Sequence, residues 1–194
     1  MMLILLSAPT MEHGGVDEKR ELERLLSGVA AGDRDSLAQL YHRTRTAVYG
    51  LALSYVKNVC DAQDVTQDTY VRIWDSASQY RPQGAPMGWV LTVCRNLALM
   101  KLRQSGRQVA LNDEEWDAIP AESPNVSPED RQVLQDAMAV LGEQERRAVL
   151  LHAVTGLKHR EIAGVLEMPL ATVLSKYHRA LKKLRVYLEG DDAL

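Results

Sequence analysis

Between Met168 and Leu188 the sequence places five Lys or Arg residues and no Asp or Glu, a balance suited to phosphates and to the acceptor-rich edges of bases. On a helical wheel Thr172, Ser175, Lys176, Arg179, Lys182 and Lys183 share one side, with His178 and Arg185 flanking them. Val173, Tyr177, Ala180, Leu181, Leu184 and Leu188 recur at spacings of three and four on the other. A lone basic amphipathic helix is commonly no more than a solvated face. Here a companion precedes it. Leu157–Leu166 reads as a second short helix whose Ile162, Ala163 and Leu166 can pack on that apolar side, and Glu167-Met168-Pro169 reads as the break between them. Pro169 suits a first helical turn, where its missing N–H would be unpaired anyway. The pair is expected to form a helix-turn-helix, with the second helix, Pro169–Leu188, free to enter a major groove.

Two other clusters carry chemistry. Asp64, Gln67 and Asp68, with Val71 and Asp75 nearby, follow three-four spacing and set carboxylates along one side of a helix. Such a row is often only a solvated face, and ligands on one straight rod converge poorly on a metal ion. Further on, Tyr80 and Trp89 stand near Arg95, Asn96, Lys101 and Arg103, aromatics and cations of the kind that stack on and neutralise unpaired strands. Trp89 also suits the core, since large aromatics usually contribute burial. From Ser76 through Asn112 there are five basic residues and no acid. The five histidines, His13, His42, His152, His159 and His178, form no His-Glu-x-x-His or comparable ligand set. No catalytic residue, metal site or cofactor is expected, and the chain is not read as an enzyme. Cys60 and Cys94 lie outside any Cys-x-x-Cys pattern, have apolar neighbours and are expected to be buried, inert thiols in a reduced cytoplasm.

The elements that must position these groups are helical throughout. There is no Phe, no Asn-Gly or Asp-Gly turn and little period-2 alternation, while three-four apolar spacing recurs along the 194 residues. Leu22, Leu25, Leu26 and Val29 make one stripe, and Leu37, Leu40, Tyr41, Val48, Leu51, Ala52 and Tyr55 another. Between them Gly32-Asp33 is the break, with Asp33 or Asp35 as cap. Asp61 to about Tyr80 is a further helix, residues 81–86 a loop, and Met87–Gln104 a helix with Trp89, Val90, Val93, Leu97 and Leu102 inward. Residues 105–130 carry Pro120, Pro124 and Pro128 among acids and small polar residues, seven acids and no base falling from Asp113 to Asp130. This segment reads as a flexible acidic linker. Leu134, Met138 and Leu141 open a second helical unit that breaks near Gly142 and resumes through Val149, Leu150 and Val154 to Gly156. The fold class is all-α. Residues 1–17 read as an N-terminal tail that could be disordered; 18–104 and 131–190 are two small helical domains; 105–130 joins them. The apolar run at Met1 is too short to span a membrane, no membrane insertion is expected, and translation could begin at Met11. A formal charge of −3 is unusual for a protein that binds DNA unaided.

In order along the chain, Leu40-Tyr41 through Val48-Tyr49-Gly50-Leu51-Ala52, Asp61-Ala-Gln-Asp-Val-Thr-Gln-Asp-Thr-Tyr-Val-Arg-Ile-Trp74 and Gly88-Trp-Val-Leu-Thr-Val-Cys-Arg-Asn-Leu-Ala-Leu99 resemble the sigma-2 domain of the extracytoplasmic-function (ECF) sigma factors. These form group 4 of the sigma-70 family of bacterial RNA polymerase sigma factors. Leu141-Gly-Glu-Gln-Glu-Arg146, Gly156-Leu-Lys-His-Arg-Glu-Ile-Ala163 and Thr172-Val-Leu-Ser-Lys-Tyr-His-Arg-Ala180 are similar to the sigma-4 domain. The resemblance covers about two-thirds of the chain, and its strength lies in the order of the motifs. It implies promoter recognition and melting in partnership with core polymerase. Asp64, Gln67 and Asp68 would dock on the clamp helices of the β′ subunit, and the sigma-4 domain on the β flap. Tyr80, Arg81 and Gln83, in the segment 80–86, would capture a flipped base of the −10 element, with Arg95, Asn96, Lys101 and Arg103 along the path of the opened strand and adjoining duplex. Thr172, Ser175, Lys176, His178, Arg179 and Lys183 would read the −35 element. An anti-sigma factor that holds the protein until a stress signal arrives is also implied.

The spacing of the two elements agrees with the linker. About 17 base pairs at roughly 3.4 Å is close to 60 Å, and the 26 residues of 105–130 reach about 90 Å at most. Linker acidity would suit a polymerase channel built for RNA. The sequence departs from the family pattern at Gly142, where Pro is usual, at Ala171 for Gly, at Met87 for an aromatic and at Leu174 for Lys or Arg. An apolar contact of Leu174 to a thymine methyl is one substitute. The alternative class is a two-domain helix-turn-helix regulator that binds DNA without polymerase.

Overall fold

The computed structural model describes residues 14–82, 84–105 and 136–189, and among these every regular element is helical. Residues 1–13 of the expected tail, Gln83 and nearly all of the expected linker lie outside the described residues, whereas residues 14–17 of that tail already belong to the first helix. The first group is α1 (Gly14–Ala30), α2 (Arg34–Val56), α3 (Val59–Ser76), a 3₁₀ turn (Ala77–Gln79) and α4 (Pro86–Gln104). The second is a helical turn at 136–139, then α5 (Glu143–Thr155), α6 (His159–Leu166) and α7 (Leu170–Glu189).

Local chemistry sets the boundaries. The Asp33 carboxylate accepts the N–H groups of Asp35 and Ser36, both at 3.1 Å, and so starts α2. Asn58 does the same for Asp61 at 3.0 Å. This cap starts α3 at Val59, two residues ahead of the sequence expectation, and α3 ends at Ser76 because the backbone tightens into the 3₁₀ turn. Pro86 occupies the first turn of α4. In α5 and α6 a glutamate reaches back from the third helical position. Gly142 N–H donates to Glu145 at 3.0 Å and Lys158 N–H to Glu161 at 2.7 Å.

Helix α2 is the hub of the first group and packs on α1, α3 and α4. Leu22, Leu25, Leu26 and Val29 of α1, Leu40, Val48 and Leu51 of α2, and Val65 and Ile73 of α3 are all buried, as their periodicity predicts. On α4 the inner stripe differs from expectation: Val90, Leu91, Cys94 and Ala98 are fully buried, while Trp89, Val93, Leu97 and Leu102 pack at the margin. Small residues at the α2–α4 contact let the two backbones approach, and Cys94 S–H donates to the Val48 carbonyl at 3.4 Å. Burial pushes the Cys94 thiol up to about 12. Cys60, by contrast, is exposed at the start of α3.

The two groups also pack on each other, α5 against α2 and α6 against α4. Ala148, Leu151, Leu157, Ile162, Val165, Leu166 and Val173 join the first group's core in one apolar cluster. The helices come close at two glycines. A Cβ on Gly50 would meet Leu150 Cδ2 at 3.5 Å, and one on Gly88 would meet Val165 Cγ2 at 3.9 Å.

Two non-glycine residues among those described have left-handed backbone: Lys57 (φ 52°), which ends α2, and Glu167 (φ 51°), which ends α6. That conformation costs an L side chain roughly 1 kcal/mol.

Candidate nucleic-acid interface

Helix α7 presents the expected reading face. Val173 and Ala180 are buried, so Ser175, His178 and Arg179 point outward, with Thr172 and Lys176 half-buried beside them. The Arg179 guanidinium donates to Ser175 Oγ at 2.9 Å, which orients its fork one helical turn from the hydroxyl. Lys183 is differently employed. Its ammonium lies 2.7 Å from Glu145, a carboxylate whose side chain is only 8% exposed, and so ties α7 to α5. Burial alone would raise the Glu145 carboxyl, but Lys183 and the Gly142 N–H hold it below the usual range. The last turn differs from the apolar stripe: Val186, Tyr187 and Leu188 are exposed.

Beside the outward face of α7, His152 of α5, His159 of α6 and Tyr177 of α7 form a ring cluster, with His152 stacked on His159 at 4.8 Å and Tyr177 edge-on to His159 at 4.6 Å. Burial, then His152 and His178, depress the His159 imidazole below 6.5. The unfolded chain takes up that proton more readily than the folded one. Stability is therefore fully present above pH 6.5 and is lost as pH falls through the lower folded value. Thermal denaturation of the full chain is expected to show this acid loss, and His159→Phe to flatten it. A His159→Phe variant with an unchanged acid arm would contradict the assignment.

The acidic row stands on α3, where Asp64, Gln67 and Asp68 are exposed together with Val71. Asp64 also takes part in a small charge network: the Lys101 ammonium of α4 lies 3.0 Å from Asp64 and 3.4 Å from Asp61. The hydrogen bond to Asp64 leads the causes that raise the Lys101 ammonium above its ordinary value. One expected polymerase contact and one expected DNA contact are thus brought together as partners. Asp68 stands outside this network.

The third surface is the loop before α4 and the outer side of α4. Tyr80 is buried, its ring 5.3 Å from Trp89, and Arg81 is exposed. Tyr80, Arg81 and Trp89 line a cleft of about 480 Å³ whose opposite wall is Arg160, Glu161 and Val165 of α6. Asn96 and Arg103 are exposed. Arg95, expected on the outside, is only 12% exposed, and its two terminal nitrogens meet the two carboxylate oxygens of Glu167, each at 2.9 Å. Sequence reading singled out neither Arg160 nor Glu161, nor the partner of Arg95. Those pairings span 72 or more positions and leave no periodic signal.

Two family models match the chain: Sigma-70 region 2 over residues 40–108, and Sigma-70, region 4 over residues 131–184. The chain is 36% identical over 170 residues to the ECF RNA polymerase sigma factor SigE of Mycolicibacterium smegmatis, a match that covers 82% of this chain and 65% of that protein. It is 30% identical over 173 residues to the ECF RNA polymerase sigma factor SigK of Mycobacterium sp. (strain KMS), covering 85% of this chain and 89% of that one. Among solved structures, CnrH in complex with the cytosolic domain of CnrY aligns with a TM-score of 0.60 at 22% identity, over 89% of this chain and 99% of that chain. The sigma factor RpoE in complex with the anti-sigma factor NepR from Bartonella quintana aligns with a TM-score of 0.60 at 23% identity, over 79% and 97%. Both structural likenesses are likenesses of fold. Among the described residues no helix is long and apolar enough to cross a membrane.

Proposed function

The chain belongs to the ECF RNA polymerase sigma factors, and from that membership we propose that it directs core polymerase to promoters by gripping the enzyme and two DNA elements with separate helical surfaces. The observation that carries this reading is the joint presence of an acid-free outward face on α7 and an exposed acidic row on α3 in one all-helical chain. The first suits duplex DNA, and the second suits a basic protein groove. Membership also sets aside the regulator that would act without polymerase.

In this reading Asp64, Gln67 and Asp68 dock on the β′ clamp helices, and Val71, 62% exposed in the same row, adds an apolar contact. The region of residues 136–189 docks on the β flap. Tyr80, Arg81, Gln83, Arg95, Asn96, Lys101 and Arg103 serve the −10 element and the opened strand; Thr172, Ser175, Lys176, His178 and Arg179 serve the −35 element. Lys183 works from the side, by fixing α7 on α5. The protein acts by binding rather than turnover, in the cytoplasm where polymerase works, and takes an anti-sigma partner, as the RpoE of B. quintana takes NepR.

Arg179 gives the sharpest test of the −35 assignment. Its oriented fork suits a bidentate contact to a base edge, worth about 1–3 kcal/mol of discrimination. Arg179→Ala is expected to reduce discrimination among −35 variants by that amount in transcription from a promoter library. An unchanged −35 preference would remove Arg179 from the reading face.

A further inference from the structure

Resting on the reading that α7 lies on the −35 element, we propose that Leu170 and Leu174 read the 5-methyl group of thymine there. The first two turns of α7 select bases by apolar contact, while Arg179 and the cations further along supply the polar contacts.

In a helix-turn-helix the N-terminal residues of the second helix contact the base edges. Here that end is uncharged. From Met168 through Ser175 there is no Asp, Glu, Lys, Arg or His, and Lys176 is the first cation of the helix. The opening turn exposes Leu170 and Ala171 instead, with Leu174 half-buried one turn on. Leu170 is 42% exposed. Among the described residues neither Leu170 nor Leu174 belongs to an apolar cluster of the core. Packing on those clusters therefore does not account for two leucines at these positions.

Their place around the helix gives them a target. At about 100° per residue, Leu170 and Leu174 form one edge of the outward face, Ala171 and Ser175 its middle, and Thr172 and Lys176 the opposite edge. One edge is aliphatic and the other polar. Of the groups that base pairs present in a major groove, the thymine methyl is the one that an aliphatic side chain matches. The rest are donors and acceptors, which a leucine would strip of water without replacing it. The pair is also continuous with the acid-free face, since exposed His178, Arg179 and Lys182 follow it along the helix. Whatever covers the leucines meets those cations as well. A polyanion with methyl groups in its groove satisfies both.

The opening turn is built to hold such a contact in place. Pro169 fixes its own backbone ahead of Leu170, and its carbonyl accepts the N–H groups of Thr172 at 2.9 Å and Val173 at 3.1 Å. Val173, 1% exposed, anchors the turn in the core. The leucines are thus carried on backbone that is ordered before DNA arrives, which limits what binding must still immobilise.

The test uses holoenzyme reconstituted from core polymerase and the full chain, on a promoter that it transcribes, with each thymine of the −35 element replaced singly by deoxyuridine. That exchange removes one methyl group and leaves every hydrogen-bonding edge unchanged. Transcription by the wild type is expected to fall about fourfold at one or two positions, the effect of losing one buried methyl group. The double variant Leu170→Ala, Leu174→Ala should transcribe thymine and deoxyuridine templates equally at those positions. Leu174→Arg, which restores the kind of cation usual in the family, should lose most of the methyl dependence while keeping a good helix former in α7. Insensitivity of the wild type to deoxyuridine throughout the −35 element overturns the proposal, and so does a sensitivity that persists undiminished in both variants. A uniform loss on all templates, traced to weaker core binding, would make the leucines a protein contact and overturn it too. Failure of the wild type to direct transcription at any promoter would instead strike the sigma reading, and this proposal with it.

Discussion

Asp68→Lys is expected to abolish association with core polymerase while leaving the helical fold intact. Asp68 is exposed on α3, one turn beyond Asp64, and stands outside the Lys101 network, so reversing its charge breaks no internal pair. Against a basic groove the reversal both removes an attraction and introduces a repulsion. Truncating one partner of a buried, hydrogen-bonded interfacial charge pair costs about 2–5 kcal/mol, and reversal in such a pair should lower affinity by on the order of a hundredfold or more. Asp64→Lys is expected to have a similar effect on docking. It would also set a cation beside Lys101, which now lies 3.0 Å from the carboxylate, and so loosen α3 from α4. Asp68 is therefore the cleaner probe, with helix content and melting as controls. Core affinity within a few-fold of wild type in a folded Asp68→Lys chain would remove this face from docking.

The second large effect is structural and falls on the second helical group. Arg146 is 3% exposed, and its guanidinium gathers the chain that precedes α5: Nε donates to the Met138 carbonyl at 2.9 Å, and Nη2 to those of Leu141 at 3.0 Å and Ala139 at 3.5 Å. Helical turn 136–139 and α5 are held together by one side chain. Arg146→Ala would leave buried carbonyls without these donors and open a cavity. Hydrogen bonds to a charged group contribute about 1.5–3 kcal/mol each, so losing the two short ones costs about 3–6 kcal/mol. A loss of that size is a large fraction of the stability of a small helical unit. Arg146→Lys should recover only part of it, since one ammonium cannot span three carbonyls in this geometry. Denaturation within about 1 kcal/mol of wild type for Arg146→Ala would show that the staple contributes little.

Much of the fold was legible because helical periodicity is local. The stripes of α1 and α2, the Gly32-Asp33 break and the turn between α6 and α7 all follow from residues within a few positions of one another. The errors arise where tertiary contacts choose between equally helical alternatives. Val93 and Leu97 face inward by spacing, yet Leu91, Cys94 and Ala98 join Val90 as the fully buried residues because α2 approaches closely there. Cys60 has apolar neighbours in sequence and is exposed in space.

The same division holds for the candidate surfaces. Asp64, Gln67, Asp68, Ser175 and Arg179 are exposed because each lies opposite a buried stripe on its own helix. Tyr80 turns into the protein against Trp89, Lys183 is held by Glu145, and Arg95 is held by Glu167. A wheel diagram assigns a residue to a side of its own helix. It says nothing of a carboxylate that arrives from 38 or 72 residues away.

The central claim is that this chain, bound to core polymerase, selects where transcription begins. Runoff transcription with purified core enzyme, the full chain and a promoter library measures this directly. The expected result is initiation on a defined subset of templates sharing a −35 and a −10 sequence, absent with core alone and lost with Asp68→Lys. Initiation with the same template distribution in the presence and absence of the chain would contradict the account.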